Sequence, residues 1–496
     1  MTRSPKNEHR DVVIVGAGLS GIGSAVRLKQ ECPDRTFTVL ESRSAIGGTW
    51  DLFRYPGIRS DSDAFTMSYP FRPWASKQAI APGGDIREYV QAAATENGID
   101  EHIRFGTVVR SASWSSTNAR WTVQADVHGV PQTFTCRFLH LCTGYYSYER
   151  PHEPNLPQIA DYTGQVIHPQ FWPEGLDVTG KRVVVIGSGA TAVTLVPALA
   201  KSAAHVAMLQ RSPSYVLAMP ENDHVAGLLR KVLPAQTAHT VVRAKNMVLL
   251  QGIYELCRKR PELAKRLCRK VVLSYLKDEA YVDKHFAPRY SPWDQRLCLV
   301  PDGDLFKVIR DGSASVVTDT IARFVRQGIE LTSGQILEAD VVVTATGLRL
   351  LPLGGTKFET DGVPVDLSDT VAYRAMMLSG VPNLSFCFGY SNNSWTLRAD
   401  LSSRYLCRLL NHMRRNDLDV ATPTAPAGMK RVPFLDLTSG YVSRGIADFP
   451  KAGTNGPWAV SQNHLKVAAG FRRADLTDAM TFAGRDRTPS PVSGGR

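Results

Sequence analysis

The 496-residue sequence lacks three diagnostic patterns: paired cysteines, a signal peptide and a nucleic-acid-binding motif. None of the eight cysteines belongs to a Cys-x-x-Cys pair, so the sequence predicts neither a metal site nor a redox-active dithiol. The polar N-terminus, residues 1–11, leads directly into a strand pattern, and we expect no signal peptide. No nucleic-acid-binding motif is found. These absences predict a cytoplasmic protein with reduced thiols and no nucleic-acid partner.

Long uncharged runs are scarce as well. One run, residues 183–200, is eighteen residues long and approaches the length of a membrane span. Its first half is β-branched, and it contains Gly187, Gly189 and Pro197, so a buried strand, a tight turn and a helix explain it better. With 43% hydrophobic and 21% charged residues, the chain has the composition of a soluble globular protein. Its length predicts two or three domains.

The positive charge is concentrated in one segment. The net charge is +12, and residues 225–285 contain thirteen Lys or Arg against five Asp or Glu. Apolar residues recur there at helical spacing, for example Leu228 with Val232 and Leu263 with Leu267. The first interpretation is a helical insertion with one face packed on the protein. The alternative is a surface that associates weakly with an anionic membrane.

A dinucleotide-binding pattern opens the chain. Residues 11–15 predict a buried strand, Gly16-Ala-Gly-Leu-Ser-Gly21 follows, and residues 22–29 predict a helix. A second strand over 36–40 ends in Glu41, twenty residues after Gly21. Glycines at these positions allow a tight turn, close approach of a pyrophosphate and close packing of helix on strand, while the acid accepts hydrogen bonds from a ribose. The pattern therefore predicts an FAD site.

Paired glycines at 47–48 open a loop that extends through Asp61. Glycine loops are also ordinary turns, but this one follows the acidic strand end and suits a chain segment that wraps a flavin. Beyond it we expect a helix over 85–97 and the strands of a small sheet over 103–109, 120–127 and 134–142. The candidate FAD-binding residues are Gly16, Gly18, Ser20, Gly21, Glu41, Gly48, Thr49, Trp50 and Asp61.

A second dinucleotide pattern begins with the strand over 181–186. In its glycine turn, Gly187-Ser-Gly-Ala-Thr-Ala192, alanine replaces the third glycine, which the pattern tolerates. The following strand, 205–209, leads to Arg211 where the first pattern has an acid. A guanidinium pairs with a 2′-phosphate, so we expect NADPH here, although Arg211 could be an ordinary solvated residue. The candidate NADPH-binding residues are Gly187, Ser188, Gly189, Ala190, Thr191 and Arg211.

The stretch between the two patterns, residues 162–173, has no amphipathic periodicity. It reads Tyr-Thr-Gly-Gln-Val-Ile-His-Pro-Gln-Phe-Trp-Pro, with His168 near its centre. We interpret it as a joint that couples a nicotinamide domain to a flavin domain; the alternative is a linker.

The predicted fold is α/β, with two Rossmann-like dinucleotide-binding domains and a helical insertion. A strand from residue 339 that ends in Ala-Thr-Gly347 indicates return to the first domain, and 394–414 predicts a long helix. The expected divisions are 1–160, FAD domain, first part; 161–224, NADPH domain, first part; 225–285, basic insertion; 286–338, NADPH domain, second part; 339–484, FAD domain, second part; and 485–496, disordered tail.

These motifs together resemble the flavin-dependent Baeyer–Villiger monooxygenases. The Tyr-x-Gly-x-x-x-His-x-x-x-Trp-Pro stretch is that family's identifying motif, which usually opens with Phe. Gly-Gly-Thr-Trp-Asp-Leu-Phe-Arg-Tyr-Pro-Gly and Pro-Trp-Asp-Gln-Arg-Leu-Cys resemble the branch that contains the mycobacterial ethionamide-activating monooxygenase and its paralogues. The resemblance implies FAD and NADPH as cofactors and O2 as co-substrate. It implies oxidation of ketones to esters or lactones, and of thioether- or thioamide-like sulfur to sulfoxides.

The resemblance also implies roles for three residues. Arg296 would supply a fixed positive charge to an anionic oxygenating species, Asp61 would orient that guanidinium, and His168 would act in the domain joint. A well-placed donor in a site that excludes water is worth about 3–4 kcal/mol. The alternatives are that Arg296 and Asp61 are unrelated surface charges, and that the enzyme is a flavin monooxygenase restricted to nitrogen or sulfur. A reductase or a non-enzymatic binding protein is a third possibility.

Overall fold

The computed structural model describes residues 8–484, so the predicted tail, 485–496, lies outside the described residues. Up to residue 161 the chain forms six strands, β1 to β6, and four helices, α1 to α4. The strands are Glu8–Val15, Phe37–Leu40, Ile103–Arg104, Thr107–Ser115, Arg120–Val127 and Val130–Leu141. The helices are Leu19–Glu31, Thr49–Leu52, Ala64–Met67 and Gly83–Glu96.

Residues 162–344 form strands β7 to β16 and helices α5 to α10. The strands are Gln165–Ile167, Arg182–Ile186, His205–Gln210, Val216–Met219, Cys298–Pro301, Ala314–Thr318, Ile321–Val325, Gly328–Leu331, Ile336–Glu338 and Val341–Thr344. The helices are Ala190–Leu199, His224–Val232, Ala235–Lys259, Pro261–Leu276, Glu279–His285 and Asp304–Arg310.

The rest of the described chain forms strands β17 to β25 and helices α11 to α13. The strands are Lys357–Thr360, Val363–Val365, Ala372–Tyr373, Met377–Leu378, Leu384–Phe386, Val420–Pro423, Arg431–Pro433, Lys451–Gly453 and Met480–Ala483. The helices are Trp395–Arg415, Gly440–Gly445 and His464–Arg472. The long helix expected over 394–414 is thus α11.

The first sheet has eleven strands in the order β18-β17-β4-β5-β6-β1-β2-β3, with β19 to β21 joined through β6. Strand β1 pairs in parallel with both β2 and β6. The strands expected over 103–109, 120–127 and 134–142 were predicted to form a small sheet, and that prediction is wrong, because β3 to β6 belong to the eleven-stranded sheet. Strands β4 to β6 form an antiparallel meander, but β6 is twelve residues long, so its second half continues into the central parallel sheet beside β1.

The single strand expected over 103–109 is two strands. Gly106 has φ +60 and breaks the run, so that β3 pairs with β2 while β4 pairs with β5.

The second sheet is all parallel, in the order β12-β9-β8-β16-β7. Strand β16 pairs with β8, although residues 339–484 were assigned to the returning FAD domain. The chain therefore leaves the second sheet after Thr344, later than the expected division at 339. Strand β7, inside the 162–173 stretch, forms the other edge of the same sheet.

The central parallel strands of both sheets are buried on both faces. Val12 and Ile14 lie in one apolar cluster, whereas their neighbours Val13 and Val15 lie in another. Strand β8 alternates in the same way between two further clusters. Burial on both faces explains why these strands are continuous hydrophobic runs in the sequence. The predicted fold class, α/β with two Rossmann-like domains and a helical insertion, is confirmed.

Helices α6 to α9 form the insertion. Between residues 8 and 484, none of the helices combines the length and the apolar character that crossing a membrane requires.

Candidate functional site

A cavity of about 860 Å³ opens at the carboxyl ends of the first sheet's parallel strands. The first glycine turn and the loop that begins at Gly47 form one side of it. Arg296 and the segment 390–395 also reach it. All nine candidate FAD-binding residues except Gly21 line this cavity.

The first glycine turn has no room for side chains. Gly16 has φ +104, and a Cβ atom there would lie 2.5 Å from the carbonyl oxygen of Cys142. A Cβ atom on Gly21 would lie only 1.8 Å from the carbonyl oxygen of Gly16. Helix α1 starts directly after Gly18, so its free amide groups and positive dipole end face the cavity. The turn therefore suits a pyrophosphate.

Glu41 follows β2 and is 4% exposed. Its Oε2 accepts a hydrogen bond from the amide of Ala17 at 2.6 Å, and its Oε1 accepts one from the amide of Arg43 at 2.8 Å. Burial raises the pKa of this carboxyl group. The carboxylate is thereby fixed against the glycine turn, where the ribose of a dinucleotide would lie.

The second cavity-lining loop contains Gly48, Thr49 and Trp50. A Cβ atom on Gly48, which has φ +57, would lie 3.0 Å from the Cα of Gly18, so the two loops approach backbone to backbone. The Thr49 hydroxyl is 2.6 Å from that of Tyr146. Ser20 Oγ accepts a hydrogen bond from the indole of Trp395 at 2.8 Å.

Arg296 and Asp61, 235 positions apart in sequence, meet at the cavity wall. Arg296 Nη2 lies 3.2 Å from Asp61 Oδ2 and 3.3 Å from Oδ1. The side chains are 32% and 28% exposed. The Asp61 carboxylate raises the pKa of Arg296, which therefore stays protonated. The structure thus brings together two residues that sequence reasoning paired only by resemblance.

The second glycine turn lies at the end of β8. A Cβ atom on Gly187, which has φ +132, would lie 2.3 Å from the carbonyl oxygen of Ala345. Helix α5 begins at Ala190, with Gly189 as its N-cap and Thr191 in its first turn. Gly189 and Ala190 are exposed, and Ser188 Oγ is 2.7 Å from Ser214 Oγ.

Arg211 directly follows β9 and is exposed.

The stretch 162–173 connects the two sheets. Its side-chain hydrogen bonds to the segment after β6 come from Gln170, a residue that sequence reasoning missed. Gln170 Nε2 donates to the backbone carbonyls of Ser147 at 3.0 Å and Tyr148 at 2.9 Å. His168 Nδ1 accepts from the amide of Gln170 at 3.1 Å. Burial lowers the pKa of His168 to about 4, so its ring is neutral at neutral pH. Gln170 occupies an unspecified position of the motif, so no pattern pointed to it.

Three tyrosines at the cavity were also missed: Tyr145, Tyr146 and Tyr148. They follow the Thr143-Gly144 end of the strand that the sequence predicted, and their close spacing after a strand end was the available signal. Tyr145 stacks on Trp395 with a ring distance of 5.3 Å and an angle of 16°.

One buried group has the residue types of a metal site. The ligand atoms of His140, Cys142 and Cys387 lie within 4.8 Å of one another. Both ring nitrogens of His140 already have partners, Ser24 Oγ at 3.0 Å and Ser385 Oγ at 2.7 Å. The group is therefore a hydrogen-bond network beneath the first glycine turn.

Comparisons with known proteins decide the family. The family model described as flavin-binding monooxygenase-like matches residues 9–226. The FAD-containing monooxygenase EthA of Mycobacterium tuberculosis is 50% identical over 488 residues, which are 98% of this chain and 99% of that protein. The chain belongs to the flavin-binding monooxygenases. EthA of Mycolicibacterium smegmatis is also 50% identical, over 92% of this chain and 94% of its own.

Solved structures agree on the fold of this monooxygenase. A structure of OTEMO in complex with FAD and NADP matches with a TM-score of 0.73 and 20% identity, over 97% of this chain and 100% of that one. The open structure of cyclohexanone monooxygenase matches with a TM-score of 0.70 and 21% identity, over 84% and 90% of the two chains. The family resemblance and the expectation of a flavin monooxygenase with a Rossmann fold are confirmed.

Proposed function

We propose that this monooxygenase binds FAD at the first glycine turn and NADPH at the second, and uses O2 to convert ketones to esters or lactones. Sulfur compounds, such as thioethers and thioamides, would be oxidised to sulfoxides. The observation that supports this best is the Arg296–Asp61 ion pair at the wall of the cavity that the first glycine turn also lines.

The residues present fit FAD. The amide groups at the start of α1 suit its pyrophosphate, and the fixed Glu41 carboxylate suits its adenosine ribose. Gly18 and Gly48 have no side chains to enter the cavity between the two loops. A ligand can therefore extend along the cavity towards Arg296. When bound, FAD would supply the redox chemistry for oxidation of NADPH and activation of O2.

The role we assign to Arg296 is electrostatic. Oxygen insertion beside a carbonyl requires an anionic oxygen nucleophile, and a guanidinium already in place stabilises that charge without reorganisation. Asp61 limits the cost of partly burying the cation and fixes its direction, because the carboxylate contacts Nη2 through both oxygens. His168 is neutral and bonded to the joint, so we assign it to the arrangement of the two sheets rather than to proton transfer.

Arg211 is the residue we propose for cofactor choice. It stands after β9 as Glu41 stands after β2, and it is exposed, so its guanidinium is available to a 2′-phosphate. A carboxylate at this position would repel that phosphate.

The basic insertion supports a second, weaker association. On α8, Leu263 and Leu267 are 48% and 45% exposed and lie one turn apart, with Arg266 and Lys270 exposed beside them. Apolar side chains beside cations fit an anionic lipid surface. We propose peripheral, salt-sensitive contact through this face.

Product analysis tests the proposed reaction. Supplied with FAD, NADPH and air, the enzyme should consume NADPH and O2 without an added electron acceptor and convert a methyl ketone to an ester. It should also convert a thioether to a sulfoxide. Sulfoxide without any ester would support the alternative of a monooxygenase restricted to nitrogen or sulfur. NADPH oxidation that depends on an added acceptor would indicate a reductase.

Replacement of Arg211 tests cofactor choice. Arg211→Ala should raise the KM for NADPH on the order of tenfold or more, because a charge-assisted contact with the 2′-phosphate is worth roughly 1.5–3 kcal/mol. The KM for NADH should change little, and Lys201→Ala, an exposed residue of the same domain, should leave both constants unchanged. An equal effect of Arg211→Ala on the two cofactors would place the 2′-phosphate contact elsewhere.

Vesicle flotation tests the lipid contact. Vesicles rich in anionic lipid should float the enzyme at low salt and release it at high salt, since each basic residue near the surface contributes about 1 kcal/mol. Leu263→Ser with Leu267→Ser should weaken flotation, whereas Val130→Ser, at a residue 59% exposed on the first sheet, should not. Flotation that does not change with ionic strength would contradict this proposal. So would an equal loss of flotation in the Leu263→Ser/Leu267→Ser and Val130→Ser variants.

A further inference from the structure

Helix α7 contacts the two separate turns that present Asp61 and Arg296 to each other. It is 25 residues long and belongs to the insertion, and none of its residues lines the cavity. Its middle contacts the segment 63–68, which follows Asp61 and contains α3, and its C-terminal part contacts the turn before Arg296. The two sets of contacts are independent, because they involve different residues of α7 and different segments of the chain.

The first set fixes the segment 63–68. Arg243 is 8% exposed, and its Nη1 donates to the backbone carbonyls of Phe65, Thr66 and Ser68 at 3.0, 2.9 and 2.6 Å. Displacement of this buried cation is costly, because each carbonyl bond that is lost removes part of the solvation of its charge.

Asn246 adds a contact two positions from Asp61. Its Nδ2 donates to Asp63 Oδ1 at 2.9 Å, while Asp63 Oδ2 accepts from the amide of Thr66 at 2.8 Å and caps α3. The Asp63 carboxylate thus joins α7 to the short helix that follows Asp61.

The second set fixes the segment 291–294. Arg258 Nη1 is 2.9 Å from Asp294 Oδ1, and the ring of Tyr254 meets that of Trp293 edge-on at 5.7 Å. Asp294 Oδ2 also accepts from the amide of Ser291 at 3.0 Å. Trp293 has φ +71, a conformation that a residue with a bulky side chain rarely adopts, so its surroundings must hold it. Arg296 lies two residues after Asp294.

Asn246 and Arg258 are twelve residues apart, which is about 18 Å along a helix at 1.5 Å per residue. Asp63, which Asn246 contacts, lies two residues from Asp61, and Asp294, which Arg258 contacts, lies two residues from Arg296. We propose that α7 fixes the distance between those turns, and that Asn246 and Arg258 are positioning residues for the Arg296–Asp61 pair. This inference rests on the proposed function, because it assigns the insertion a part in oxygenation.

A role in positioning can be separated from a role in stability at the Arg258 end. Arg258 and Asp294 are 40% and 34% exposed, and exposed ion pairs contribute little to folding. Loss of this pair should therefore displace the turn without unfolding the protein. The carbonyl of Asp294 also accepts from the Thr438 amide at 2.9 Å, so the turn should shift rather than detach.

The test compares Arg258→Ala with Lys259→Ala in the full-length holoenzyme. Lys259 is the matched control, because it is the next residue of α7, is exposed, and within residues 8–484 forms its ion pair along the helix, with Glu255. Arg258→Lys tests rescue by charge, and Asn246→Ala tests the other turn. For each variant we would measure FAD content, melting temperature, the rate of FAD reduction by NADPH, and oxygenated product per NADPH. A crystal structure would give the Arg296–Asp61 distance.

For Arg258→Ala we expect product per NADPH to fall on the order of tenfold, since a displacement of about 1 Å from the reacting geometry can cost more than that. FAD content and melting temperature should match those of Lys259→Ala, Arg258→Lys should recover much of the yield, and the Arg296–Asp61 distance should increase.

Three results would overturn the inference: a yield equal to that of the control, a loss that follows FAD content and melting temperature, or an unchanged ion pair in the crystal structure. If the unmodified enzyme made no oxygenated product, the proposed function would fail instead, and the crystal structure alone would still test whether α7 sets the distance.

Discussion

The Arg296–Asp61 ion pair is the contact whose geometry depends on the arrangement of the whole molecule. Its two members come from segments 235 positions apart, and each lies in a turn outside regular secondary structure. A charge of this kind acts on an oxygen anion only when its position is fixed before the anion forms. Placing it beside the FAD cavity therefore requires that the first sheet, the second sheet and the insertion keep fixed relative positions.

Several independent contacts provide that constraint. Gln170 bonds the stretch between the sheets to the backbone after β6, and α7 contacts a turn on each side of the ion pair. The two glycine turns impose a steric requirement. At Gly16 and Gly187 the backbone lies directly against the carbonyl group of a neighbouring segment. Side chains are excluded there for lack of space, which leaves the amide groups of α1 and α5 facing outward.

Sequence patterns predicted the parts whose causes are local. Two glycine turns, each between a buried strand and a helix, follow from spacing alone, and the acid after β2 and the arginine after β9 follow from counting residues. The ion pair came from resemblance, since nothing local connects residues 61 and 296. The strands over 103–109, 120–127 and 134–142 were expected to form a small sheet, because no local signal shows that a long strand such as β6 continues into a second set of partners.

The contacts of α7 could not be predicted for the same reason. Arg243 resembles the other basic residues of 225–285 in sequence, and only tertiary structure shows that it is 8% exposed and bonded to three backbone carbonyls. Likewise Gln170 and the three cavity tyrosines lie at positions that no periodicity distinguishes. Local patterns therefore predicted the two glycine turns that we propose as cofactor sites, whereas the residues that hold those turns in place depend on long-range packing.

The most direct test is the Arg296→Ala holoenzyme, with rapid-mixing spectra of flavin reoxidation recorded while ester product and hydrogen peroxide are quantified. FAD should remain bound, because its proposed contacts lie at residues 16–21 and Glu41. Ester yield should collapse, with NADPH either spent on hydrogen peroxide or hardly consumed, and Asp61→Ala should impair the same step less severely. Loss of a well-placed charge corresponds to about 3–4 kcal/mol, or a factor on the order of several hundred. An ester yield from Arg296→Ala close to that of the unmodified enzyme would contradict the central role of this ion pair.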